Sequence, residues 1–206
     1  MYKRLNKFPY WFFGVVPPDA SFESISSAIN AINCFDGNVD GKVYDCSLIS
    51  RHDHTGYREK VVKLLNPLMD IRFEGAWNNN STDLWKKFSN DKIKYLNSCR
   101  FNIAFENSNS SGYVTEKIFD AFQGRTIPIY WGGKQVVEPD IIEEGSFLYF
   151  DENNPDNLYN DVDYLLRNKN AYKEFLGQRK IKLTAAENIY EKMNLFKGKL
   201  RELDMS

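Results

Sequence analysis

Apolar and polar positions along this chain fall into a repeated two-part rhythm from Tyr44 onward. Short apolar or alternating runs at 44–50, 70–75, 101–107, 126–132 and 147–150 predict strands. Between and after them, apolar residues recur at helical spacing. Val61, Val62, Leu64 and Leu65 mark a helix over 58–65, ended by Asn66-Pro67. Leu84, Trp85, Phe88, Ile93 and Leu96 are core candidates of a helix over 81–97, and residues 115–124 form the next, with Gly124 at its stop. Residues 157–167 and 171–203 read as two further helices with a break between them. Pro128 removes a ladder donor, so its strand needs an irregularity or a non-bonded position there.

Strands alternating with helices predict an α/β fold: a Rossmann-like parallel sheet of about five strands with helices on both faces. Ahead of it, Phe22, Ile25, Ala28, Ile29 and Ile32 place a helix over 21–33, with Asp19 or Ser21 as its N-cap. Residues 8–16 are a strand or an apolar plug halted by Pro17-Pro18, and the Asp-Gly pairs at 36–42 make a turn. An EF-hand is excluded at that turn by ligand spacing and the missing closing Glu. The division that follows is a bridging segment at 1–43, a ligand-binding domain at 44–180 and a packing helix at 181–206. On that last helix Ile189, Met193, Phe196, Leu200 and Leu203 share one face, which favours core packing over a membrane surface.

Composition narrows the partners. At 206 residues, 42% hydrophobic and 27% charged, the chain is of ordinary globular character and large enough for one sizeable core. The net charge of −1 gives no reason to expect nucleic acid, so anion binding must come from a local cluster. Cys34, Cys46 and Cys99 show neither a disulfide framework nor a zinc spacing. No run approaches the ~18 apolar residues of a membrane span, and no signal peptide is read. A cytoplasmic protein, at most peripheral to a membrane, is expected.

Two loops concentrate chemistry, both at carboxyl ends of strands, where open parallel sheets bind ligands. In the first, Asn107, Tyr113, Glu116 and Lys117 surround the start of the 115–124 helix. A helix N-terminus with a lysine in its first turn favours phosphate oxygens. Tyr113 offers a stacking face, and Glu116 can accept from sugar hydroxyls. The same residues also fit a plain surface loop with an exposed ion pair; no Walker or GxGxxG pattern is present. The second loop carries Arg51, His52, Asp53, His54 and Arg58, and Arg58 suits a bidentate phosphate contact. His52 and His54 lack a convincing third ligand, and Asp161 and Asp163 point apart on a helix, so no metal site is expected.

The run FNIAFENSNSSGYVTEKIFDAFQGRTIPIYWGG, residues 101–133, closely resembles the signature of the α1,3/4-fucosyltransferases, glycosyltransferase family 10. FEN, GYVTEK and IPIYWG in this order carry the resemblance. It extends back through CSLISRHDHTGYR and forward through EPDI and AAENIYE. It implies the C-terminal, donor-binding domain of a GT-B glycosyltransferase, with GDP-fucose as donor substrate and no cofactor. By position in the motif, Arg58 and Lys117 would meet the pyrophosphate, and Asn107, Tyr113 and Glu116 would line the nucleotide and fucose. Arg58, Glu116 and Lys117 are thereby the candidate catalytic residues.

The implied reaction is transfer of fucose, with inversion, to an N-acetylglucosamine or glucose unit of a surface glycan, such as a lipopolysaccharide or protein glycan. In the family the proposed base is a Glu of an N-terminal, acceptor-side half, and this chain starts at a segment that follows such a half. Two readings stay open on that ground. One is a fucosyltransferase represented mainly by its donor half; the other is a GDP-sugar-binding module without transfer activity, served by a separate acceptor domain or a second copy. A flavodoxin-like binding module stands outside both.

Overall fold

The computed structural model describes residues 11–204 apart from Pro18. Five strands, β1 (Tyr44–Ile49), β2 (Ile71–Glu74), β3 (Cys99–Phe105), β4 (Ile127–Trp131) and β5 (Leu148–Tyr149), form one sheet in the order β2-β1-β3-β4-β5. Every pairing is parallel, with Cys46 opposite Phe101 and Asn102 opposite Pro128. The chain is therefore the Rossmann-like α/β domain its pattern predicts. Pro128 takes the non-bonded position. Tyr130 O accepts from Phe150 N on the β5 side, and Pro128, two residues earlier, faces the same way ahead of the first β5 pair.

Period two along β3 divides the core. Phe101, Ile103 and Phe105 face α3 (Tyr57–Leu65), α7 (Pro155–Arg167) and α8 (Lys169–Gly177). Ala104 faces the opposite layer, built from α2 (Phe22–Asn33), α6 (Glu116–Gln123) and α9 (Ala185–Asp204). Ser21 caps α2 by accepting from Ser24 N at 3.2 Å, the alternative to Asp19.

Three expectations are corrected. The described part of 8–16 is no strand but one helical turn, α1 (Phe12–Val15), while residues 8–10 lie outside the described residues. Trp11 stacks on Phe119 with centroids 4.3 Å apart, so the apolar-plug alternative is the one realised. Val16 before Pro17 is extended, as a residue preceding proline prefers, and that ends the turn. The 81–97 helix is two pieces, α4 (Asp83–Lys86) and α5 (Lys92–Asn97), because Ser89 and Asn90 turn left-handed at φ 53° and 62°. Asp91 then caps α5 by accepting from Lys94 N at 3.0 Å. The 171–203 helix is likewise broken after Gly177. Ile181 makes an antiparallel bridge with Ile142, and Asn33 Oδ1 accepts from Lys180 N and Ile181 N before α9 begins.

Candidate functional site

β1 and β3 are neighbours whose following helices lie on opposite faces, so their carboxyl ends open a crevice at a topological switch point. Period two continues one residue past β3 and turns Glu106 toward α6, where it is fully buried. Its carboxylate accepts from Thr115 N at 2.7 Å, the Thr115 hydroxyl at 2.7 Å, the Tyr130 hydroxyl at 3.1 Å and Lys117 Nζ at 3.3 Å. Burial, reinforced by Glu106, pushes the Tyr130 hydroxyl up and keeps it a donor. Gly132 makes room for this hub: at φ +146°, a Cβ there would sit 2.6 Å from Glu106 Cγ.

The hub has a consequence for α6. Thr115 is the N-cap residue, yet its hydroxyl is turned to Glu106 and makes no cap bond. The usual side-chain acceptor for the first helical N–H groups is thereby diverted. Lys117, with its side chain 22% exposed, donates to Thr115 Oγ1 at 2.8 Å and lies 3.5 Å from Glu116 Oε1. Burial would raise the Glu116 carboxyl, but Lys117, its own backbone N–H and Lys92 together hold it below the ordinary value.

Arg58 ties the second loop to the first. It is 3% exposed; Nη2 donates to Phe105 O at 2.7 Å, Glu106 O at 3.3 Å and Asn107 Oδ1 at 3.1 Å, while Nη1 reaches His52 O at 3.3 Å. Asp53 lies 3.8 Å from Nη1 and accepts from Glu59 N at 2.9 Å, closing the start of α3. Burial pulls the guanidinium below its ordinary value against the opposing charges of Asp53 and Glu106.

Above these residues lies a groove of about 710 Å³, of the size that holds a nucleotide-scale ligand. Its lining includes Asn107, Glu116 and Lys117 together with Arg51, His52, Glu74, Trp85 and Lys92. The His52 and His54 rings lie with centroids 4.0 Å apart, tilted by 35°, and burial together with His54 lowers His52. Among the described residues no group of three or more His, Cys, Asp or Glu side chains could hold a metal ion.

The sequence model for glycosyltransferase family 10 (fucosyltransferase), C-terminal region, matches residues 41–198. The chain belongs to glycosyltransferase family 10. The alpha-(1,3)-fucosyltransferase FucT of Helicobacter pylori is 41% identical over 86 residues, covering 42% of this chain and 18% of that protein. The human 4-galactosyl-N-acetylglucosaminide 3-alpha-L-fucosyltransferase 9 is 29% identical over 138 residues, 66% of this chain and 36% of the relative. A crystal structure of an alpha1,3-fucosyltransferase with GDP-fucose superposes at a TM-score of 0.63 with 27% identity, over 79% of this chain and 49% of the other. The family 10 chain thus spans under half the length of each of these relatives.

Of the residues singled out by sequence, the groove brings Asn107, Glu116 and Lys117 together. Arg58 lies beneath them, its donors committed to the loop it holds. Tyr113 sits half-buried on the same loop, outside the lining of this groove, with its N–H donating to Ser110 O at 3.0 Å. Asp163 pairs with Arg167 at 2.7 Å on α7, away from the crevice. Sequence reasoning did not find the Glu106 hub, Glu74 or Lys92. Trp85, assigned to the core, is instead 71% exposed on the groove wall, because one turn of α4 cannot bury both Leu84 and Trp85.

Proposed function

We propose that this family 10 chain binds GDP-fucose at the β1–β3 crevice and forms the donor side of an α1,3-fucosyltransferase. One observation carries the reading: Lys117 stands in the first turn of α6, anchored to a buried carboxylate hub, with Asn107 and Glu116 beside it on one groove wall. The structural relative that holds GDP-fucose shares this fold over 79% of the chain. An ammonium has three donors, and a helix N-terminus favours negative charge, so a diphosphate completes Lys117. As GDP departs, Lys117 and α6 stabilise the charge growing on its phosphate without reorganising.

Arg58 adds positive charge from beneath the 105–107 turn and fixes Asn107. Glu116, held below the ordinary carboxylate value, is a hydroxyl acceptor and an electrostatic partner of the fucosyl centre rather than a proton acceptor near neutrality. Glu106 already accepts from Thr115, Tyr130 and Lys117, which unsuits it as the base. The acceptor is an N-acetylglucosamine or glucose unit of a surface glycan, a lipopolysaccharide or a protein glycan, and transfer inverts the anomeric carbon with no cofactor beyond the donor. We place the protein in the cytoplasm, at most peripheral to a membrane; among the described residues no helix is long and apolar enough to cross one.

Thermal unfolding with GDP or GDP-fucose tests the donor site. Ligand at 100 times its dissociation constant should stabilise the fold by about 2.7 kcal/mol. No shift with either compound would sink the reading. A transfer assay with GDP-fucose and N-acetyllactosamine, on the protein carrying this chain, must then yield fucosylated product; binding without product marks a GDP-sugar-binding module.

A further inference from the structure

The corner between α7 and α8 holds another cavity, of about 440 Å³, a size that admits a small ligand or a short stretch of chain. Asn160, Asp163, Tyr164 and Arg167 line it from α7. Spacings of three and four residues put them on one face, opposite the buried Leu158, Val162 and Leu165. Tyr164 is 58% exposed, so most of its ring is open to a ligand rather than used in the core. Asn168 fixes the corner. Its N–H donates to Tyr164 O at 3.0 Å, its Oδ1 accepts from Ala171 N at 3.0 Å to cap α8, and its Nδ2 reaches the Tyr164 hydroxyl at 3.4 Å. Arg100 Nη2 holds the end of α7 by donating to Leu165 O at 3.1 Å and Leu166 O at 3.3 Å. Arg100 stands at the amino end of β3, one strand length, about 20 Å, from the crevice at its carboxyl end.

The charges of the lining cancel. Arg167 Nε donates to Asp163 Oδ1 at 2.7 Å, and Lys169 Nζ donates to Asp40 Oδ1 at 3.0 Å. An ionic ligand gains little from groups already paired at a surface. A single aromatic face among polar groups suits an apolar segment no better. We propose that this corner binds a neutral glycan chain, with one pyranose ring lying on Tyr164 and its hydroxyls held by Asp163, Arg167 and the exposed amides of Asn160 and Asn170. A pyranose carries weakly positive C–H groups on one face, which fit the electron-rich face of a phenol ring. Each of its hydroxyls both donates and accepts. The lining answers both needs: a carboxylate that accepts, a guanidinium that donates and amides that do either. The site is separate from the donor crevice and does not depend on the GDP-fucose reading. A chain held here is anchored rather than acted on.

NMR titration of the nitrogen-15-labelled full chain with tri-N-acetyllactosamine, maltotriose and GDP tests it. At least one of the two oligosaccharides should shift the backbone amides of Tyr164, Asn168 and Asn170 together, with a dissociation constant on the order of 1 mM for so open a contact. GDP should leave those three signals in place. Tyr164→Ala, at an exposed position, should weaken the oligosaccharide about tenfold without changing the melting temperature. Tyr164→Phe keeps the ring face and should stay within about twofold of the unaltered chain. The glycan site is overturned if neither oligosaccharide moves these residues at about 10 mM, ten times the expected dissociation constant. Undiminished oligosaccharide binding by Tyr164→Ala overturns it as well. Shifts of the same three amides by GDP mark a nucleobase platform instead and have the same consequence.

Discussion

Across the groove, residues 105–117 and residues 75–92 are built on different terms. On the first side one buried carboxylate gathers Thr115, Tyr130 and Lys117, and one buried guanidinium gathers three carbonyls and Asn107. On the second, α4 and α5 are short helices linked through the left-handed Ser89 and Asn90, and Asn78 ahead of α4 is left-handed too. Donors held in place before a ligand arrives stabilise new charge best, because they need not reorganise.

The sharpest way to break the comparison is to remove the hub. Glu106→Ala leaves Thr115 N–H and the Tyr130 hydroxyl buried without acceptors and frees Lys117 from its anchor. Loss of one partner in such a buried network costs about 3–5 kcal/mol, to be read from urea unfolding at neutral pH. A change below about 1 kcal/mol would show that the hub is not what holds this wall.

Arg58→Ala comes next. Its loss releases His52 O, Phe105 O and Asn107 together, and hydrogen bonds from a charged group are worth about 1.5–3 kcal/mol. Arg58→Lys should recover only part of this, since a point charge cannot span several acceptors. A decisive pattern in the other direction is easy to recognise. Unchanged stability with lost GDP affinity would make Arg58 a direct phosphate ligand instead of a tie between loops.

The fold and the clustering of Asn107, Glu116 and Lys117 were largely legible because period-two strands and an amphipathic helix leave strong marks between Phe101 and Gly133. Asn107, Glu116 and Lys117 meet in space since they flank one loop at one strand end. Glu106 stood out only as a nearby carboxylate without a catalytic role, because its position beside a polar loop carries no local mark of a buried hub. The signal was the unbroken alternation Asn102, Ala104, Glu106, which points it at the α6 layer. Trp85 was misplaced for the opposite reason: Leu84, Trp85 and Phe88 have helical spacing, but the left-handed Ser89 and Asn90 cut the helix to a turn. Likewise Gly177 and the Ile142–Ile181 bridge interrupt what periodicity alone joins over 171–203. Tertiary pairing decides such breaks, and no local pattern records it.

Lys117→Ala separates binding from architecture on the ordered wall. Glu106 loses its cation but retains its Thr115 and Tyr130 donors in this variant, so the fold should lose about 1–3 kcal/mol, less than in Glu106→Ala. GDP affinity should fall roughly tenfold or more, because a charge-assisted contact to the diphosphate is lost. Calorimetry giving equal GDP affinities would remove Lys117 from the site.

The smallest effect concerns Glu116, where the two walls touch electrostatically through Lys92. Burial alone would raise its carboxyl; Lys117, its own backbone N–H and then Lys92 more than offset this, leaving the group below its ordinary value. A carboxyl lowered on folding contributes stability that is fully present above its unfolded value and is lost as pH falls through the folded one. The window is therefore mildly acid solution, beneath the ordinary carboxylate range. In Lys117→Met the largest lowering charge is gone while burial persists, so the Glu116 midpoint followed by carboxyl-carbon NMR should rise. Lys92→Met should raise it less, although Lys92 also pairs with Asp120 at 2.6 Å. If Lys92→Met moves the midpoint more than Lys117→Met does, the irregular wall controls the charge of the ordered one, and the contrast between them fails at this residue.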